Sequence, residues 1–222
     1  MATTFAFAET RGGELRKVGL EAVTAARQLA DATGGGEVHA MIAGAPGIAG
    51  KGELLAAHGA DVVFVVEHAG LALYSPEVLG ATAAAAIKAG SYRAAVFSAS
   101  AQGRDLAPRV AAKLGVSLAA DVTSLAPKGD AIIVTHPVNT GKVIATLSLT
   151  GTPAVVSVRP GAVTPERRPV ASRVEAVAPA IDPAAARVVP KELLAGSTAK
   201  LDLGEAPVIV SGGRGLRAPE NF

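Results

Sequence analysis

As far as Gly115 the chain repeats one move: a short apolar run, a turn, then a stretch whose apolar residues recur at helical spacing. "TTFAFAET" (3–10) leads into "ELRKVGLEAVTAARQLADATGGG". There Leu15, Val18, Ala22, Ala26 and Leu29 fall on one helical face, and the glycines from Gly34 supply the stop. "EVHAMIAG" (37–44) reads as a strand before a short helix in "GKGELLAAHG". "DVVFVVEH" (61–68) is apolar nearly throughout, as a strand covered on both faces requires. "SPEVLGATAAAAIKAG" opens a helix with Ser75 as N-cap, Pro76 at the first helical position and Glu77 in the first turn. "YRAAVFSAS" (92–100) precedes "GRDLAPRVAAKLG", with Leu106, Val110 and Leu114 on one face. Proline is tolerated in a first turn but not in a helix interior, so Pro108 predicts a helix start near Asp105. Alternation this regular predicts a parallel, doubly wound sheet with helices on both faces.

Beyond Val116 the pattern changes. "DAIIVTHPVNTGKVIATLSLT" predicts two strands joined by a turn at Asn139–Gly141, and "PAVVSVRPG" a further strand with its own breaker. The predicted fold is therefore α/β: a Rossmann-like, doubly wound mixed sheet, its parallel half extended by antiparallel strands. From Thr164 to Pro207 proline, alanine and charge dominate, with one strand-like piece, "SRVEAVA". The expected division is an amino-terminal α/β domain over 1–162, a connector over 163–206 that crosses between bodies, and the start of a second domain over 207–222.

Composition removes several classes of function. A chain of 222 residues buries roughly 70% of its unfolded surface and needs no staples. Aromatics are 3% of the residues, too few for a platform that stacks single-stranded nucleic acid. Twenty-one Lys and Arg against nineteen Asp and Glu is near balance, and the densest basic stretch, "PERRPVASR", reads as a solvated connector, so no nucleic acid is expected. With no cysteine there is no disulfide, thiolate metal site or cysteine nucleophile. No apolar stretch reaches the roughly 18 residues of a spanning helix, and "MATTFAFAET" has no basic residue ahead of its apolar part. A cytoplasmic protein without a membrane span is expected.

Each motif carries a functional and a plain reading. "GAPGIAG" (44–50) follows a strand and precedes a helix, where free amides can meet a phosphate, but it lacks the paired glycines of a dinucleotide fingerprint. A strand–helix turn accounts for it. "SASAQGRDLAPRV" (98–110) gathers hydroxyls, Arg104 and Asp105 at a strand's carboxyl end, and reads equally as a contact surface or as a capped helix. The spacing of His39, His58, His68 and His136 suggests no metal site. No G-x-S-x-G elbow is present, so no catalytic residue is assigned.

"VIVSGGRG" (208–215) combines three requirements. A β-branched strand delivers the chain to the turn, glycines permit positive φ, and successive amides can form an anion nest to which Arg214 adds a charged fork. An ordinary glycine turn with an exposed arginine is the plain alternative.

"VIVSGGRGLRAPENF" closely resembles the segment that opens the flavin-binding domain in the alpha subunit of the electron transfer flavoprotein family. S-G-G-R-G at Ser211–Gly215 and E-N-F at Glu220–Phe222 carry the match, with four residues between them. "GRDLAPRVAAKLG", "AADVTSL" (119–125) and the opening "FAFAETRGGELRKVGLEAVTAARQLA" are similar to further family segments. The resemblance implies a heterodimer with a beta subunit that holds AMP, and FAD in the alpha carboxyl-terminal domain. It implies electrons taken from acyl-CoA and related dehydrogenases and passed to a membrane quinone oxidoreductase. Arg214 matches the arginine that contacts FAD. The family's remaining flavin contacts lie beyond Phe222, so the chain reads as a fragment cut at the start of its α/β FAD domain, binding FAD weakly or not at all by itself. An ATP pyrophosphatase loop fits less well, since Gly215 and Leu216 stand where it needs Asp and Ser. The other alternative is an AMP-like nucleotide-sensing or assembly module using "GAPGIAG" and "SASAQGRD".

Overall fold

The computed structural model describes residues 3–194, 206 and 208–222. They fall in two units, Met1–Glu192 and Leu193–Phe222. In the first, β1 (Thr3–Ala8) is followed by a ribbon of β2 (Thr10–Arg11) and β3 (Glu14–Leu15), then α1 (Lys17–Ala32), β4 (Val38–Gly44), α2 (Gly52–Ala56), β5 (Val62–Glu67), α3 (Pro76–Ala89), β6 (Tyr92–Ser98) and α4 (Ala101–Leu114). β7 (Leu118–Val122), β8 (Ser124–Lys128), β9 (Ala131–Val138), β10 (Val143–Leu149), β11 (Ala154–Val158) and β12 (Arg173–Ala176) complete it.

The main sheet runs β12-β5-β4-β1-β6-β11-β7, and every neighbouring pair in it is parallel. Parity along "TTFAFA" sorts its two faces. Ala6 and Ala8 look toward α1, whose own Ala22, Ala25 and Ala26 allow close approach. Phe5 and Phe7 look toward α3 and α4. There the few aromatics gather: Phe7 stacks on Phe97 at 6.0 Å between ring centres, and Phe5 meets Tyr92 edge-on at 5.6 Å. The doubly wound α/β architecture matches the expectation.

The antiparallel strands form as well, but in a sheet of their own, ordered β10-β9-β8, instead of prolonging the parallel ladder. The chain leaves the main sheet at the end of β7, where Asp121 takes a left-handed φ of 57° and the pairing with β11 shifts register. Thr123 then donates its amide to Thr135 (2.8 Å), starting the new ladder. β11 inserts between β6 and β7, and the strand-like piece of "SRVEAVA" becomes β12 at the opposite edge, beside β5. The turn at Asn139–Gly141 is present, with φ values of 52°, 59° and 82° along it.

Other local expectations are corrected. Helix α4 begins at Ala101, not near Asp105, and holds Pro108 within it. The start is fixed by Ser100, whose hydroxyl accepts from the Gly103 amide (3.0 Å), and by the absence of a side chain at Gly103, where a Cβ would lie 1.7 Å from the Ser98 carbonyl oxygen. Ser75 does precede α3, but its buried hydroxyl makes no capping bond. The β2–β3 ribbon was not foreseen; Gly12 and Gly13, at φ 58° and 80°, form its two-residue turn.

Candidate functional site

In sheets of this type ligands and partners gather at the carboxyl edge, where strand order reverses. Here that point lies between β1 and β6, since β4 and β5 lie on one side of β1 and β6 on the other. It is occupied by side chains of the chain itself. Glu9, just past β1 and 2% exposed, receives a hydrogen bond from Arg16 (2.8 Å) and another from the Ser100 hydroxyl. Ser98 donates to the carbonyl of Val18 (2.7 Å), and Arg104 uses Nε on the carbonyl of Ala99 (3.0 Å). Asp105 accepts from Tyr74 (2.9 Å) and Arg109 (2.8 Å). Burial and then the Asp105 carboxylate push the Tyr74 pKa up. The structure thus brings Ser98, Ser100 and Arg104 together at the rim and ties them down. What faces outward is the Arg104 fork, 67% exposed at the side chain.

Beside it lies a second cluster. Arg159 grips Asp121 with both prongs, Nε to Oδ1 at 3.0 Å and Nη2 to Oδ2 at 2.6 Å, while the Asp121 amide donates to Ser157 (3.1 Å). Arg104 stands 3.9 Å from the same carboxylate. The bonded Arg159 first, and then the charges of Arg104 and His136, hold the Asp121 carboxyl below its usual range. One carboxylate therefore faces two guanidinium groups.

"GAPGIAG" is also filled from within. Gly47 and Ala49 both donate their amides to Oε1 of Glu67, each at 2.9 Å. The amides that would meet a phosphate already hold a carboxylate, which weighs against the nucleotide-sensing alternative.

Three of the four histidines take structural partners. His58 bonds the Leu54 carbonyl (2.7 Å), and Nδ1 of His68 accepts from Gly70 (3.0 Å). His39 sits at the amino edge between Tyr92 and Glu37, at 2.8 Å from each. Glu37 is also gripped by Arg173 of β12, two bonds of 3.1 Å that fasten the edge strand. Arg173 and then His39 draw the Glu37 pKa down to about 2. Burial pushes the Tyr92 hydroxyl up to about 12.

In the second unit Arg214 opens a short turn, Arg214–Leu216, and a further turn spans Pro219–Asn221. Two expectations are corrected. Val208–Val210 pairs with no strand among the described residues, and its three side chains are exposed. Left-handed φ is found at Arg217 (62°) and not at Gly212, Gly213 or Gly215. A strand exists only through its ladder, and β-branched composition does not supply one. Gly212, Gly213, Arg214, Leu216, Arg217 and Phe222 surround a shallow hollow. Two arginines and one phenylalanine are among its lining residues, and the hollow is open and does not enclose a ligand.

Glu9, Glu37, Asp121 and Arg159 were invisible to sequence reasoning. Each lies tens of residues from at least one of its partners, so the fold alone brings these groups together.

Residues 4–193 match the electron transfer flavoprotein domain family. The alpha subunit of electron transfer flavoprotein from Syntrophomonas wolfei is 33% identical over 224 residues, covering 100% of this chain and 68% of that protein. The corresponding subunit of Bacillus subtilis is 28% identical over 96% of this chain and 65% of its own length. Protein FixB of Clostridium saccharobutylicum is 34% identical over 97% and 65% respectively. The chain spans about two thirds of the length of these relatives.

Proposed function

The chain belongs to the electron transfer flavoprotein family, and on that premise we propose that it serves as the alpha-type half of a two-subunit electron carrier, not as a catalyst of bond changes. The observation that carries this reading is similarity over nearly the whole chain to relatives named as alpha subunits of electron transfer flavoprotein. Residues 1–162 form the body that binds a beta-type companion, 163–206 connect, and 207–222 begin the flavin domain. The companion holds AMP. Electrons arrive from acyl-CoA and other dehydrogenases and leave to a quinone oxidoreductase, with the carrier in the cytoplasm. No helix among the described residues is long and apolar enough to cross a membrane.

FAD, when bound, supplies the redox chemistry, and the protein supplies position and electrostatics. Arg214 contributes one charged fork to it, with Gly212 and Phe222 lining the same hollow. Cofactor sites bury most of their ligand, which this open turn does not do. The 222-residue chain is therefore expected to retain little flavin by itself. Extended by the final third of an alpha subunit, it is expected to hold FAD, and Arg214→Ala to weaken retention by about tenfold, in line with the loss of one charge-assisted contact. Unchanged retention in that variant, or stoichiometric tight flavin on the 222-residue chain, contradicts the assignment.

A further inference from the structure

Past β11 the chain stays on the first unit as far as Glu192 and straps around it, and the two halves of that strap are held very differently. In the first half the Gly161 amide donates to buried Glu21 (2.9 Å) and the Glu166 amide to Thr24 (3.2 Å), both on α1. Arg168 and Val170 donate their amides to the carbonyls of Ala57 and Ala56, at 2.8 and 3.2 Å, and the Arg168 guanidinium pairs with Asp31. β12 then lies along β5. Its ladder is bounded by amide bonds from Arg173 to the Asp61 carbonyl (3.0 Å) and from Val177 to the Val65 carbonyl (2.8 Å).

The second half, residues 178–187, crosses to α3. Of its side chains only those of Pro183 and Ala186 are buried. Ala186 joins the core beside α3 and α4, and Pro183 lies on Gly70, where a Cβ would stand 2.6 Å from that of the proline. Two amides reach across to α3: that of Ala180 to Oγ1 of Thr82 (3.0 Å) and that of Arg187 to Oε2 of Glu77 (2.8 Å). Arg187 adds Nε on Oε1 of Glu77 (2.9 Å), but its side chain is 89% exposed. The remaining bonds, from the amides of Ala184 and Ala185 to Asp182, are local to the strap. Beyond the clasp Val188 and Val189 are exposed, so no apolar contact of theirs holds the chain down.

Local stability follows buried apolar contact and shielded backbone bonds. The first half has a ladder and bonds to two helices. The second has two small buried side chains and an ion pair that water and salt screen.

We propose that residues 178–187 are a latch, which lifts from α3 in one step starting at the Arg187–Glu77 clasp while β12 stays paired with β5. Closed, the latch fixes the chain to the first unit as far as Arg187. Open, it releases residues 178–192, the chain that runs to the second unit at Leu193. Each residue released adds at most about 3.5 Å of reach, so the latch sets the length of the tether between the units. The inference goes beyond the reading of the chain as an alpha-type subunit and does not depend on it.

The test is amide hydrogen exchange of the 222-residue chain, followed residue by residue by NMR. The Ala180 and Arg187 amides are expected to exchange at one common opening rate, faster than the Arg173 and Val177 amides that bond to the β5 side. Glu77→Gln is expected to speed the first two about two- to fivefold, in line with the loss of an exposed ion pair, and to leave the Arg173 and Val177 amides and the urea midpoint unchanged. Raising salt to about 1 M should also speed the Ala180 and Arg187 amides in the unsubstituted chain, a measurement that needs no variant to fold. Tryptic cleavage after Arg187 should quicken in Glu77→Gln by the same factor. Exchange of Arg187 alone, with Ala180 as slow as Val177, overturns the latch in favour of a fraying end. Opening of all four amides in one step, or no response of Ala180 and Arg187 to Glu77→Gln and to salt, overturns it as well.

Discussion

Gly103 decides where the first turn of α4 sits. A methyl group there would meet the Ser98 carbonyl oxygen at 1.7 Å, and neither backbone can give way without moving β6 or α4. Gly103→Ala is expected to cost about 3 kcal/mol or more, at the upper end for overpacked sites, measured by urea denaturation; a midpoint equal to wild type would show that the approach is looser than described. Ser100 has two duties at the same place, capping α4 and donating to buried Glu9. Ser100→Ala should lose about 2 kcal/mol, combining a lost cap with a carboxylate short of one donor. Arg214 differs from both. Among the described residues its side chain makes no hydrogen bond or ion pair, so its substitution is expected to leave stability unchanged, measured by urea denaturation.

Among elements, β12 is held at the sheet edge both by its parallel ladder with β5 and by an ion pair. Its four residues are exposed, and Arg173 fastens it to Glu37 at the start of β4. The Glu37 pKa is depressed from 4.5 to about 2, so the attachment is fully present above pH 4.5 and is lost as pH falls toward 2. Exchange protection of Arg173–Ala176 should fall across that window ahead of the central strands. In Arg173→Ala the Glu37 carboxyl should titrate closer to 4.5 by NMR, and an unmoved titration would mean that His39 alone sets it. The sheet itself was legible in the sequence because each strand is a local apolar run followed by a local helix. What was not legible came from contacts between distant segments. The separate β8–β10 sheet depends on a left-handed Asp121 and on pairing with Thr135, and neither leaves a periodic trace. Pro108 pointed to the wrong helix start because a tertiary fit at Gly103 outweighed a local preference. Val208–Val210 looked like a strand by composition, yet a strand is a relation between segments.

At the scale of the molecule, the carboxyl edge of the parallel sheet is closed by the chain's own groups: Glu9 at the switch point, Glu67 in the glycine turn and Asp121 between arginines. A sheet whose nucleotide-type edge is filled in this way is suited to carry surfaces in place of a cofactor. That agrees with the proposal of a body that docks a companion and leaves flavin binding to other residues. The sequence offered its site candidates at Arg214 and in the Ser98–Asp105 segment, where short motifs suggest the chemistry; the Glu9 and Asp121 clusters left no such trace, since their partners come from distant segments. The most direct test of the whole account is the mass of the species formed when this chain and a beta-type subunit are produced together. A one-to-one complex that survives size-exclusion chromatography is predicted. A chain that elutes alone, or only with itself, would contradict the account.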